Sequence, residues 1–167
     1  MFYFFSSINE YIIIADRKTA ESVALSVEIG SIFSDAPKDI AEKLLKFARL
    51  CGIVYQIQDD LLDITEAKGR RVGSEIVQGA PNIVTSYGFL NVNSQQVNIL
   101  NRVYGNHSAS EDDVRKAIAV LEETGAVQLA VTLGERLTKE AQEILKKLEI
   151  DKEFFEVLLK MGLKRKV

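Results

Sequence analysis

The chain has 167 residues, 47% of them apolar and 27% charged, with a formal net charge of −3. That length suits one domain able to bury a substantial core, residues 1–167, and the negative balance gives no reason to expect a nucleic-acid partner. A lone cysteine, Cys51, excludes an internal disulfide, and a single histidine excludes a His-rich metal site. Both suit a reducing, cytoplasmic setting. The apolar runs 2–5 and 12–14 are broken by Ser6, Ser7, Asn9 and Glu10, too short and interrupted for a membrane span. No basic segment and clear cleavage site mark a signal peptide.

Residues 8 to about 34 read as one long helix, because Tyr11, Ile14, Ala15, Lys18, Thr19, Ser22, Val23, Val27 and Gly30 recur at helical spacing. Its second half, 20–30, is rich in small side chains that permit close approach of another helix. Ser34-Asp35-Ala36-Pro37 is a break, and Pro37 suits the first turn of the next helix. That helix runs from Lys38 through Asp63 to about Glu66, with Gly52 as a place for a bend. Residues 67–79 form a polar loop with three glycines and three cations. Read alone it is first a plain basic loop, and second an anion cradle built from backbone N–H groups and charge. A short helix follows over 81–89, then another over 91–105 with Ser94 as its cap. Ser110 and Asp113 have the capping-box spacing and open a helix to Glu123. Thr124-Gly125 interrupts, 126–148 is helical, and 151–161 forms the last helix before the basic end Lys164-Arg165-Lys166. No alternating strand pattern and no repeat is present, so the expected class is all-α. His107 reads as a surface residue, and Asp112 and Asp113 as acids placed to suit a helix dipole.

The informative stretch is Gly52-Ile-Val-Tyr-Gln-Ile-Gln-Asp-Asp-Leu-Leu-Asp63. With Asp59 at zero on a helical wheel, Gly52 falls near ~20°, Asp63 near ~40°, Gln56 near ~60°, Arg49 near ~80° and Asp60 near ~100°. Ile53, Val54, Tyr55, Ile57, Leu61, Leu62 and Ile64 cover most of the rest. A helix apolar around most of its circumference lies inside a protein, so this acidic stripe faces a cavity rather than solvent. Buried carboxylates need a proton, a cationic partner or a metal. Mg²⁺ takes oxygen ligands, keeps several waters and usually binds one or two carboxylates together with substrate phosphates. An isolated D-D-x-x-D is otherwise more often a solvated acidic face; the apolar wrap and Gln56 reverse that reading here.

Tyr55-Gln56, Asp59-Asp60 and Asp63 resemble the second aspartate-rich motif of the trans-prenyltransferases, the isoprenyl diphosphate synthases. Three further pieces stand in the family's order. Lys18-Thr19 is similar to the pair that holds the allylic diphosphate, Gln56 precedes the acids, and Gly69-Arg70 with Gly73-Ser74-Glu75-Ile76 resembles the loop that follows them. The resemblance covers roughly residues 11–89 and implies a partial isoprenoid-synthase bundle. It assigns Asp59, Asp60 and Asp63 to catalysis and, with Glu75, to metal binding. Lys18, Thr19, Gln56 and Arg70 are assigned to the substrate diphosphate, and the cofactor is Mg²⁺. In the family the allylic diphosphate ionises and the cation is attacked by isopentenyl diphosphate. Positive charge from metal and lysine favours departure of the pyrophosphate.

The sequence also departs from the family pattern. It carries the second aspartate-rich motif without the first, and without the basic residues that bind isopentenyl diphosphate. Glu75 replaces an aspartate, Arg70 a lysine, and Ala80 stands where a lysine is usual, followed by Pro81. The resemblance therefore implies a C-terminal half: a fragment, a truncated product or one part of a split enzyme. Such a chain is expected to be inactive alone and to form a homo-oligomer, or to pair with a partner carrying the first motif. The alternative is a non-catalytic regulatory or partner subunit of a synthase. A bare helical structural protein fits poorly with the buried acids, and cyclising terpene synthases typically carry a different second metal motif.

Overall fold

In the computed structural model, which describes residues 7–65 and 71–163, every regular element among the described residues is helical. The expected all-α class holds. The first helical stretch is α1 (Ile8–Ala15), a π-helical turn over Asp16–Ala20, and α2 (Glu21–Phe33). One long helix was expected there; the chain stays helical but changes register midway. Next come α3 (Lys38–Asp63), α4 (Ser74–Gln78), α5 (Ile83–Asn91), α6 (Ser94–Val103), α7 (Glu111–Glu123), α8 (Ala126–Lys146) and α9 (Glu153–Leu163). No single helix among the described residues is long and apolar enough to cross a membrane.

The described residues group into two compact units, one holding 7–11 and Asp59–Thr132, the other Ile12–Gln58 and 133–163. In the second unit, Leu44, Phe47 and Cys51 recur at i, i+3 and i+7, so one face of α3 is apolar. It meets Ala141 and Leu145 of α8, Leu148, and Leu159 of α9. The Phe47 ring meets Phe155 edge-on, with centroids 5.8 Å apart. Full burial of a side chain this size contributes about 1.5–3 kcal/mol. α3 continues through Gly52 as one helix, and the glycine there admits a close contact. A Cβ there would overlap Ala20 Cα and stand 2.7 Å from Ala20 Cβ.

In the first unit, α5, α6 and α7 pack together around Val84, Leu100, Val103, Val114, Ala117 and Leu121. The Leu121 side chain occupies the place of a Cβ on Gly88, and Phe89 stacks edge-on against Tyr104 at 5.4 Å. Ser110 caps α7 as expected, accepting from Asp113 N–H at 3.1 Å. The cap of α6 is Asn93 rather than Ser94: its Oδ1 accepts from Gln95 and Gln96, and Gln96 reaches back to complete the capping box. The stretch expected to be wholly loop contains α4. Gly73 (φ 71°) and Gly79 (φ 67°) bracket this single turn in left-handed conformations that a side chain would disfavour.

Candidate functional site

Asp59, Asp60 and Asp63 occupy the C-terminal end of α3. Asp60 is 0% and Asp63 2% exposed, so the stripe is buried as its sequence context requires; Asp59 is half-buried. Burial of ionised carboxylates needs donors. Asp63 Oδ1 accepts from Ser74 Oγ at 2.7 Å, and its Oδ2 from Glu75 N–H at 3.0 Å. Its own carbonyl accepts from Gly73 N–H at 2.7 Å. The start of α4 is thus folded back onto the end of α3.

Asp60 does the same for α5. Its Oδ2 accepts from the N–H of Ile83, the first helical residue, at 2.8 Å. The preceding residue, Asn82, caps that helix by accepting from Val84 N–H at 2.9 Å, and its Nδ2 donates to Glu75 Oε2 at 2.8 Å. A negative charge at a helix start is favoured by the unpaired N–H groups and the helix dipole. Asp60, Asp63, Ser74, Glu75 and Asn82 therefore form one polar layer. Tyr11 lies against it, 1% exposed, with its hydroxyl turned to Asp60 and no well-aligned hydrogen bond among the described residues. Asp60 is still close enough to act on it. Burial first, then the charge of Asp60, and less strongly those of Glu75 and Asp59, push the phenol pKa well above its ordinary value.

All the donors in this layer that could face a cation are oxygens, which suits a hard ion. No group of three His, Cys, Asp or Glu among the described residues is disposed to hold a metal by itself.

The other unit holds the cationic and hydroxyl residues named above. Lys18 and Thr19 sit within the π turn, and Thr19 Oγ1 donates to Gln56 Oε1 at 2.5 Å. Lys18 is exposed. Arg49, which the wheel placed on the acidic stripe, binds Asp16 and Glu21 instead. A cavity of about 280 Å³ opens beside Thr19, lined also by Val23, Cys51, Gly52, Tyr55 and Leu158. The Cys51 thiol is no nucleophile there, because burial pushes its pKa up to about 12. Arg70 lies outside the described residues. Sequence reasoning gave no site role to Ser74, Asn82, Tyr11 or Arg49, although Ser74 stood in the resembling loop and Arg49 on the acidic stripe. Asn82 directly after Pro81 was a cap signal, and Arg49 on an acidic stripe was a cation needing a partner; nothing marked Tyr11.

Taken together, these helices and their buried carboxylates define an all-α protein of the isoprenoid-synthase type. The Polyprenyl synthetase family model matches residues 4–121, and the chain belongs to that family. It is 28% identical over 121 residues to a short chain isoprenyl diphosphate synthase of Methanocaldococcus jannaschii, covering 71% of this chain and 37% of the relative. Over 135 residues it is 30% identical to heptaprenyl diphosphate synthase component 2 of Geobacillus stearothermophilus, covering 77% and 40%. The fold superposes on the geranylgeranyl pyrophosphate synthetase of Pyrococcus horikoshii with a TM-score of 0.84 and 26% identity, over 97% of this chain and 50% of that one. The chain thus spans half or less of the length of these relatives.

Proposed function

We propose that this chain supplies one acidic half of a prenyl diphosphate synthase site, in which an allylic diphosphate condenses with isopentenyl diphosphate. The observation that carries this reading is the buried D-D-x-x-D helix, with Asp60 and Asp63 held by N–H and O–H donors in a member of the Polyprenyl synthetase family. Asp59, Asp60, Asp63 and Glu75 would hold Mg²⁺, which when bound offsets the charge developing on the pyrophosphate. Lys18, Thr19, Gln56 and Arg70 would hold the diphosphate itself. Lys18 brings a point charge and Arg70 a planar fork. Thr19, already oriented by Gln56, brings a hydroxyl.

This chain carries a single aspartate-rich motif, and two opposed ones act together in the family. The isolated chain is therefore inactive, binds Mg²⁺–diphosphate weakly, and works as a homo-oligomer or with a partner that carries the first motif, in a cytoplasmic setting. Leu25, Ile29, Ile32 and Phe33 leave α2 with an apolar exposed face, which favours association through the region 20–30. A second reading is a non-catalytic partner subunit: Ala80 supports it, and the similarity to a synthase component supports assembly with a partner under either reading.

The experiment is product formation from an allylic diphosphate and labelled isopentenyl diphosphate with Mg²⁺, with and without a family N-terminal half. Transfer that appears only on mixing, and that Asp59→Ala then abolishes, is the expected result. Turnover by the chain alone contradicts the reading. Association without turnover, unchanged by Asp59→Ala, selects the partner-subunit reading.

A further inference from the structure

The π turn over Asp16–Ala20 is closed by the N–H of Glu21 donating to the carbonyl of Asp16, five residues back. Such turns are rare and appear mostly as single turns inside α-helices, so one that persists needs something to hold it. Three residues of α3 do so from one face, at i, i+3 and i+7. Gly52 admits Ala20 where any Cβ would collide, and Gln56 accepts from Thr19. Arg49 makes the widest contact. Its Nη1 donates to Asp16 Oδ1 at 2.9 Å, Asp16 Oδ2 at 2.8 Å and Glu21 Oε2 at 3.0 Å, and its Nη2 donates to Glu21 Oε1 at 3.2 Å.

The two carboxylates report the register. On a regular α-helix, residues five apart point about 140° away from one another, too far for one guanidinium to bridge them. Only the added residue of the π turn brings Asp16 and Glu21 to one side. Between them stands Lys18, exposed and without an acidic partner among the described residues. The nearest acids in sequence are both occupied by Arg49.

We propose that Arg49 is a positioning residue for the diphosphate-binding pair. By bridging Asp16 and Glu21 it locks the π register, which presents Lys18 and Thr19 to an anion and keeps both carboxylates away from Lys18. The inference rests on the reading of Lys18 and Thr19 as diphosphate ligands. It adds a residue that touches no substrate.

The test uses the whole chain, ¹⁵N-labelled, titrated with Mg²⁺–inorganic pyrophosphate and followed by amide shifts, together with amide exchange of Glu21. Arg49→Gln is expected to speed Glu21 exchange about tenfold while core amides such as Phe47 stay protected. It should weaken pyrophosphate binding about as much as Lys18→Ala, roughly tenfold. The double variant should be little worse than either single, because both act through one cation. Arg49→Lys, which keeps the charge but loses the fork, should recover only part of the loss. Unchanged Glu21 exchange in Arg49→Gln overturns the proposal, as does full pyrophosphate affinity in that variant when Lys18→Ala has lost it. If the wild-type chain and Lys18→Ala respond alike to pyrophosphate, the diphosphate reading of Lys18 fails, and Glu21 exchange alone decides whether Arg49 sets the register.

Discussion

Asp60 accepts the backbone N–H of Ile83 at 2.8 Å, so a carboxylate with no solvent exposure, in the last turn of α3, meets the first N–H of α5. Its charge is spent on architecture as well as on any ligand. Asp60→Ala leaves the Ile83 N–H without this acceptor and is expected to cost about 1.5–3 kcal/mol, the range for hydrogen bonds to charged groups. Asp60→Asn keeps an acceptor and should cost clearly less. Urea midpoints of the three proteins decide it; an Asp60→Ala variant as stable as wild type would remove the capping role.

Two glycines in the second unit should respond oppositely to the same change. Gly52→Ala forces a Cβ into Ala20 and is expected to destabilise by about 1–3 kcal/mol through overpacking. Gly134 lies within α8, where an added Cβ would meet only Ile57 Cγ2 at 3.6 Å, an ordinary contact. Gly134→Ala should therefore gain up to about 1 kcal/mol from helix propensity. Thermal melts of the two variants should move in opposite directions, and a shared sign would contradict the packing described at Gly52.

The phenol of Tyr11 is buried beside carboxylates and has no well-aligned hydrogen bond among the described residues. Removing the hydroxyl deletes a buried polar group that lacks a well-aligned partner among the described residues, so Tyr11→Phe should be neutral or stabilising by roughly 1 kcal/mol. A loss above that size, read from denaturant midpoints, would show that the hydroxyl holds a partner in solution.

Alkaline stability should carry a mark of Cys51. Its thiol is raised from 9.0 to about 12 by burial. Above the unfolded value the unfolded chain releases this proton while the folded chain keeps it, so the folded state binds more protons and stability falls as pH rises. The contribution is intact below pH 9 and declines as pH climbs toward about 12, by on the order of 1 kcal/mol per pH unit at most. Comparing urea midpoints near neutral pH and in that alkaline window, wild type should lose more than Cys51→Ala. An equal loss would place the thiol in contact with water.

Much of this was legible in the sequence because it is local. The periodic apolar positions of α3 and α8, the Ser110 cap and the break at Thr124-Gly125 each follow from residues within a few places of one another. The acidic stripe was legible for the same reason: Asp59, Asp60 and Asp63 lie on one helix, and their apolar neighbours are on the same page of sequence. What escaped was either too short or too distant. The single turn of α4 has no room to show a period, and its Gly73 and Gly79 brackets read as loop glycines. Asp63 with Ser74, Asp60 with Ile83 and Arg49 with Asp16 join residues from different elements, and no pattern along the chain announces them. The helical spacing read over residues 8–34 missed the change of register before Ala20, since a fixed 100° per residue has no place for a π turn.

That turn also bears on chain length in related proteins. Deleting one residue between Asp16 and Ala20 would turn the π segment into ordinary α-helix and rotate everything upstream by about 100° relative to α2. A one-residue gap at this point in a comparison of relatives would therefore not be a neutral change in length. It would mark a protein in which the lysine and threonine face elsewhere and the arginine of α3 has lost one of its two carboxylates.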